Sequence, residues 1–251
     1  MTEIIFLGTN GWFDSLTGNT ICILIKTEEY YIVLDAGNGL HKIDRYLNIE
    51  RPVYLFLSHF HFDHIVGLHI LNKFNFTKGL KIYGPAGTKD IMNLIINRPF
   101  TIPLTDLSFN VEIFDLPEKE RRLPFCFESE PVVHSSLTLG FRFEIDGKVI
   151  SYCPDTGYCE NAVRLARNAD LLIAECSYKS GQINRKWPHL NPETAAKIAK
   201  EAKVKRLALV HFDASIYQNV EERKAAEKEA KKIFSNTFAA VDDMQVGLVE
   251  I

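Results

Sequence analysis

The sequence predicts an α+β fold made of two similar β-rich halves, and three observations carry that prediction. Strand-like runs recur through both halves, with helical patterns between or after them. A strand ending in Asp-x-Gly and a strand ending in His-Phe each occur twice, in the same order. The 251 residues, 46% hydrophobic and 24% charged, supply apolar surface for one large core and exclude a disordered or fibrous chain. The reading is of one domain over 1–251, with halves at approximately 1–120 and 121–251.

Residues 4–7, 20–26, 30–34, 53–57, 81–83 and 109–114 are short runs rich in β-branched and aromatic residues, bounded by Gly, Asp or Pro. Residues 140–145, 149–152, 171–174 and 207–210 continue the series in the second half. Helical spacing appears at 64–73, 88–97, 162–169, 192–202 and 221–234. Asn191 is the N-cap of the fourth helix, with Pro192 at its first position. The last reads as a surface helix whose buried stripe is Ala226, Ala230 and Ile233. The repeated units are Asp35-Ala36-Gly37 with Asp155-Thr156-Gly157, and His59-Phe60 with His211-Phe212. They place a seam near residues 116–127.

Charge and cysteine content narrow the function. Lys+Arg 29 against Asp+Glu 32 gives a net charge of -3, which excludes a globally basic attraction to nucleic acid. No apolar run approaches the ~20 residues that span a bilayer. The start, Met1-Thr2-Glu3-Ile4, lacks a basic leader and reads as a first strand. Cys22, Cys126, Cys153, Cys159 and Cys176 are odd in number and form no CxxC pair, as expected of reduced thiols in a cytoplasmic enzyme.

The sharpest feature is His59-Phe60-His61-Phe62-Asp63-His64, directly after an apolar strand. In an extended segment His59 and His61 point the same way. Imidazole nitrogens with one carboxylate are what a borderline divalent ion takes. One loop cannot complete two metal sites, and three single residues at strand ends are candidates to do so: His134, Asp155 and His211. His41 and His69 belong to no motif; His41 reads as a turn or helix residue, His69 as satisfied by packing. Cys153 reads as an inward-facing strand residue. The aromatic stretches at 74–76 and 98–104 read first as core packing, with a substrate entrance or a homodimer contact as alternatives.

The set Asp35, His59-x-His61-x-Asp63-His64, His134, Asp155 and His211 resembles the metallo-β-lactamase fold superfamily over nearly the whole chain. The resemblance implies a four-layer αββα sandwich. It assigns His59, His61 and His134 to one metal, Asp63, His64 and His211 to a second, and Asp155 to both, with Asp35 supporting the histidine loop. His61 stands where the flavodiiron branch has Glu, and Asp155 where many β-lactamases have Cys; the long nuclease branch carries an extra domain for which there is no room. The segments Phe6-Leu7-Gly8-Thr9-Asn10-Gly11, Ala169 to Glu175, His189-Leu190-Asn191-Pro192-Glu193-Thr194 and Leu207 to Phe212 are similar to the ribonuclease Z-like phosphodiesterase branch. There Glu175 and His189 would form a dyad beside the metals.

Two departures matter. His134 and Asp155 are too close together for the tRNA-gripping arm of that branch. The basic residue before Asn19 and the Arg before Tyr217 are also missing. The resemblance therefore implies a dinuclear phosphodiesterase acting on a small or cyclic phosphodiester or an RNA end, without the arm and without a membrane. A hydroxide shared by two divalent ions would attack, Asp63 would orient it or take its proton, and His189, its tautomer fixed by Glu175, would stabilise the phosphoryl oxygens or protonate the leaving oxygen. Zinc suits the donors best; manganese or iron fits them too. The alternatives are a sulfatase, thioesterase or lactonase on the same scaffold, or a non-catalytic metal-binding sensor.

Overall fold

The computed structural model describes residues 2–47, 50–117 and 123–248, so part of the expected seam, 118–122, lies outside the described residues. The strands of the first half are β1 (Glu3–Gly8), β2 (Asn10–Gly11), β3 (Cys22–Lys26), β4 (Tyr31–Leu34), β5 (Val53–Phe56), β6 (Leu80–Pro85) and β7 (Val111–Leu116). Those that follow are β8 (Cys126–Val132), β9 (Thr138–Ile145), β10 (Lys148–Cys153), β11 (Leu171–Glu175), β12 (Leu207–Val210), β13 (Phe212–Asp213), β14 (Thr237–Ala239) and β15 (Met244–Gly247). The α-helices are α1 (Phe62–Ile65), α2 (Thr88–Ile95), α3 (Glu160–Ala166), α4 (Pro192–Glu201) and α5 (Val220–Lys231).

Among the described residues, one large sheet runs β15-β1-β3-β4-β5-β6-β7 and a second β14-β12-β11-β10-β9-β8, and the short strands β13 and β2 pair in a third. The C-terminal strand β15 thus returns to pair with β1. Each large sheet is buried on both faces, which is why its inner strands read as unbroken apolar runs. In β4, Ile32 and Leu34 face the opposite sheet while Tyr31 and Val33 face outward to the helices. Leu171 and Ile173 of β11 face the same inter-sheet core, and Leu172 and Ala174 the outer one. Phe56 sits between the sheets, 5.0 Å from the Phe143 ring and 5.5 Å from Phe141. The 3-10 segments Asn38–Arg45 and Val66–Lys73 and helix α2 cover the first sheet; α3, α4 and α5 cover the second. The result is the four-layer αββα sandwich.

Several local expectations need correction. Residues 64–73 do not form one α-helix: α1 ends at Ile65 and a 3-10 segment follows. Gly67 there lies so close to Gly37 that a Cβ would come 2.2 Å from its carbonyl oxygen, so the chain hugs the sheet instead of winding evenly. His69 is exposed, its Nδ1 bonded to the Val66 carbonyl of its own turn, and is not packed. Phe74 and Phe76 are stacked in the outer core, 5.4 Å apart, as the packing reading had it. Strand β8 escaped the sequence reading because it is polar and contains Pro131, which an edge strand tolerates. Asn191 caps α4 through Thr194, with Pro192 at the first position. Helix α5 buries Ala226 and Ala230 as expected, but it also buries Arg223.

Candidate metal centre

The parallel strands of both sheets end at one rim. Strand β4 delivers Asp35, β5 delivers Ser58 and His59, β10 delivers Asp155, β11 delivers Glu175 and Ser177, and β12 delivers His211. His134 follows the antiparallel β8. Loops carry polar groups there because sheet pairing has ended, while the sheet still fixes where each loop starts. Asp35 and His211 both have positive φ, 54° each. For a residue with a side chain this costs about 1–3 kcal/mol and is held only where the surroundings demand it. Gly11 supplies the space that His211 needs: a Cβ there would lie 2.4 Å from the imidazole.

Two donor sets result. One donor atom from each of His59, His61, His134 and Asp155 falls within 4.8 Å of the others, and the same holds for Asp63, His64 and His211. Nε2 of His134 lies 3.3 Å from Nδ1 of His61. In the second set, Nε2 of His211 is 3.0 Å from Nε2 of His64 and 3.2 Å from Oδ2 of Asp63. Asp155 stands between them. Its Oδ2 faces His134 at 3.7 Å and His59 at 3.9 Å, and its Oδ1 faces His211 at 3.1 Å and His64 at 3.2 Å.

The far edges of the imidazoles are tied. Asp35 Oδ2 accepts from His64 Nδ1 (2.8 Å), the Tyr152 hydroxyl (2.7 Å) and Ser58 Oγ (2.8 Å), and Oδ1 accepts from the Ser58 amide. Having donated to Asp35, Ser58 Oγ can accept from His59 Nδ1 at 3.0 Å. Ser177 Oγ donates to the His211 carbonyl and so accepts from His211 Nδ1 at 3.0 Å. With Nδ1–H engaged, the Nε2 lone pairs of His59, His64 and His211 turn towards the middle of the cluster.

Electrostatics fits the same arrangement. Burial lowers the pKa values of His59, His61 and His134, keeping them in the neutral form that coordinates. Burial would also lower His64 and His211, but the carboxylates, Asp155 foremost, outweigh it and raise both. Burial works against ionised Asp63 and Asp155 as well; the facing imidazoles nonetheless hold both below the ordinary carboxylate range. His59 Nε2 and Asp155 Oδ1 are buried without a hydrogen-bond partner, although charged or polar atoms lie nearby. An orphaned acceptor of this kind costs about 1–3 kcal/mol, and divalent cations held in the two sets would satisfy these atoms, the first His59 Nε2 and the second Asp155 Oδ1. Five imidazoles and two carboxylates converging in this way can hold divalent metal.

The cluster opens into a cleft of ≈620 Å³ whose walls include Asp63, Asp155, His189 and His211. Glu175 is buried; its Oε1 accepts from His189 Nδ1 and from the Thr156 amide, both at 2.7 Å, and its Oε2 from the Ser177 amide. Burial alone would lower the His189 pKa, but the Glu175 charge and hydrogen bond carry it up to about 9. His189 also places a ring nitrogen within 4.8 Å of donor atoms of Asp155 and His211. Every sequence-derived site residue therefore gathers at this rim: His59, His61, Asp63, His64, His134, Asp155, Glu175, His189 and His211. The 74–76 and 98–104 stretches contribute nothing to the cleft wall among the described residues.

Sequence reading missed what surrounds them. The Trp12 amide donates to Asp63 Oδ2 at 2.7 Å, on a residue whose φ is 71°. Arg223, fully buried on α5, reaches Thr9 Oγ1 (2.8 Å), Thr17 Oγ1 (2.9 Å) and Asn10 Oδ1, and lies over the Phe212 ring. The Asn10 amide in turn clips the loop through Phe13, Ser15 and Gly18. Burial lowers the Arg223 pKa to about 10, so it remains a cation. Its identity as a core residue is invisible in sequence because Arg on an Ala/Lys/Glu-rich helix reads as solvated. Tyr152 was legible as strand but not as a partner of Asp35.

An αββα sandwich with a His/Asp cluster at the ends of its parallel strands is the metallo-β-lactamase class of fold. Residues 30–212 match the beta-lactamase superfamily domain. The chain belongs to that superfamily, on its ribonuclease Z branch. It is 30% identical to a ribonuclease Z of Thermococcus onnurineus, over 84% of this chain and 85% of that protein. It is 28% identical to that of Bacillus velezensis, over 97% and 98% respectively. The latter alignment runs over 306 positions against the 251 residues here, so the relative carries internal segments that this chain lacks. Here the stretch from His134 to Asp155 is filled by the β9–β10 hairpin. The metallo-β-lactamase fold protein YhfI of Bacillus subtilis superposes with a TM-score of 0.79 at 25% identity, over 98% of both chains. The short form of human tRNase Z gives 0.75 at 22% identity over 99% and 100%, a likeness of fold alone.

Proposed function

We propose that this protein is a dinuclear metal-dependent phosphodiesterase, and that its substrate is a small or cyclic phosphodiester or an RNA end. The observation that carries the reading is Asp155, whose two oxygens face the two donor sets, beside a His189–Glu175 pair opening on the same cleft. His59, His61 and His134 would hold one ion, Asp63, His64 and His211 the other, and Asp155 both. Zinc suits this donor set best, and manganese or iron fits it. Divalent ions held there would lower the pKa of water to about 7 and offset charge on the phosphoryl oxygens.

The chain's own groups do the rest. Asp63, kept ionised by His64 and His211 and held by the Trp12 amide, orients the attacking water; its low pKa suits it poorly to keep a proton. As the water oxygen bonds phosphorus, the bond to the leaving oxygen breaks. His189, protonated at neutral pH through Glu175, donates its proton to that leaving oxygen, and the water's proton passes to solvent. The buried thiols Cys22, Cys153 and Cys176 fit a reduced, cytoplasmic setting. Among the described residues no helix is long and apolar enough to cross a membrane.

The test is metal content followed by a substrate panel: bis-p-nitrophenyl phosphate, cyclic nucleotides, an aryl sulfate, a thioester, a lactone and a tRNA precursor. Diester hydrolysis that stops on chelation supports the proposal. Turnover confined to the sulfate or acyl esters would replace it with one of those activities, and metal without turnover would leave a binding module.

A further inference from the structure

The cleft is larger than a phosphoryl group needs, and much of its remaining wall is aromatic. At ≈620 Å³ it lies within the range of pockets that enclose a whole small molecule. Trp12, Phe62 and Trp187 line it, and they are 66%, 77% and 46% exposed. Single exposed apolar side chains are ordinary; three large rings on the rim of one cleft are not. Each is also fixed. Trp12 sits at φ 71° with its amide on Asp63, and its ring meets Phe13 edge-on at 5.3 Å. Phe62 is the first residue of α1, between His61 and Asp63 in sequence. Trp187 stacks on His61 at 5.5 Å and 9°, with its carbonyl accepting from the Tyr178 hydroxyl.

On the phosphodiesterase reading, we propose that Trp12, Phe62 and Trp187 form a stacking subsite for a nucleobase, so that the substrate is a base-bearing diester rather than a bare sugar or alkyl phosphate. The rings are continuous with the catalytic cleft, which places an occupant on them within reach of His189. A planar base offers π-faces to rings of this kind without needing a hydrogen-bond code, and stacking on one ring is worth about tenfold or more in affinity. His189 and the donor sets supply the charge for the phosphate; the rings supply what a phosphate cannot use.

The experiment compares kcat/KM for adenosine 2′,3′-cyclic phosphate with that for the methyl riboside analogue, in which a methyl group replaces the base. The metal-loaded wild-type protein should prefer the adenosine compound by at least tenfold, mainly through KM. Trp12→Ala and, separately, Phe62→Leu should each cut that preference about tenfold with bound metal retained, and Trp12→Phe should restore most of it. Equal turnover of both compounds by wild type, or variants that lower both alike, would overturn the stacking subsite while leaving the phosphodiesterase standing. No turnover of any diester by metal-loaded wild type would overturn both. Loss of a dimer on Trp12→Ala in sedimentation, with the preference intact, would assign the rings to a second copy of the chain and overturn the subsite.

Discussion

The two flanks of the metal centre are held by opposite means. On the inner flank, His59 and His64 are fully buried, and Asp35, Ser58 and Tyr152 tie their outer edges in a closed network between the sheets. On the outer flank, His61 is half-buried, covered by the face of Trp187, and the Nδ1 edge of His134 meets a backbone carbonyl, that of Pro188 at 3.4 Å, instead of a buried carboxylate network. His59 shares its donor set with His61 and His134, and His64 belongs to the second set, yet the inner pair is part of the core while His61 lines the cleft. The difference separates two jobs. The inner flank fixes where a metal can sit, and the outer flank faces what the metal acts on.

Asp155 is where the flanks meet, so its loss should have the largest effect. In Asp155→Ala the two sets lose their shared carboxylate, and elemental analysis should find the metal gone with diester hydrolysis at background. A variant that keeps both ions would break the comparison at its centre. His189→Ala tests the cleft side alone: kcat should fall by roughly 10²–10⁴ with bound metal unchanged. Glu175→Gln adds a sign. As the acid, His189 works below its pKa, so the rate falls as pH rises through it; without the Glu175 carboxylate that alkaline limb should move to lower pH.

The inner flank should answer differently. Tyr152→Phe removes one of the hydrogen bonds on Asp35 Oδ2 and should weaken metal affinity by roughly 10–100-fold, read by chelator competition, with little change in kcat once metal is saturating. A kcat effect at full loading would show that the inner flank also meets the substrate. Arg223→Met should act on stability first. It leaves Thr9, Asn10 and Thr17 short of their donor, a cost of about 1–3 kcal/mol, so the melting temperature should drop by several degrees. An unchanged melting temperature would show that the loop bearing Trp12 does not depend on α5.

The donor groups were legible in the sequence and their supports were not, for a physical reason. Donor groups are chemically rare and must stand at strand ends, so His59 to His64, His134, Asp155 and His211 stood out by residue type and place. Ser58, Ser177 and Tyr152 are ordinary residues whose importance lies only in what they touch across the fold. The inner strands were legible because both faces are buried; β8 and β15 were not, because edge strands need not be apolar. Arg223 lay outside the buried stripe expected for its helix because nothing local reveals that Asn10 waits for it more than 200 residues away in sequence.

The central claim is that the two donor sets joined by Asp155 hold a pair of ions that act on phosphodiesters. Stepwise titration of metal-depleted protein with zinc, followed by bis-p-nitrophenyl phosphate hydrolysis at each step, tests it directly. Saturation is expected at two ions per chain, with hydrolysis rising as the second ion binds. Saturation at one ion, or two bound ions with no diester turned over, would contradict it.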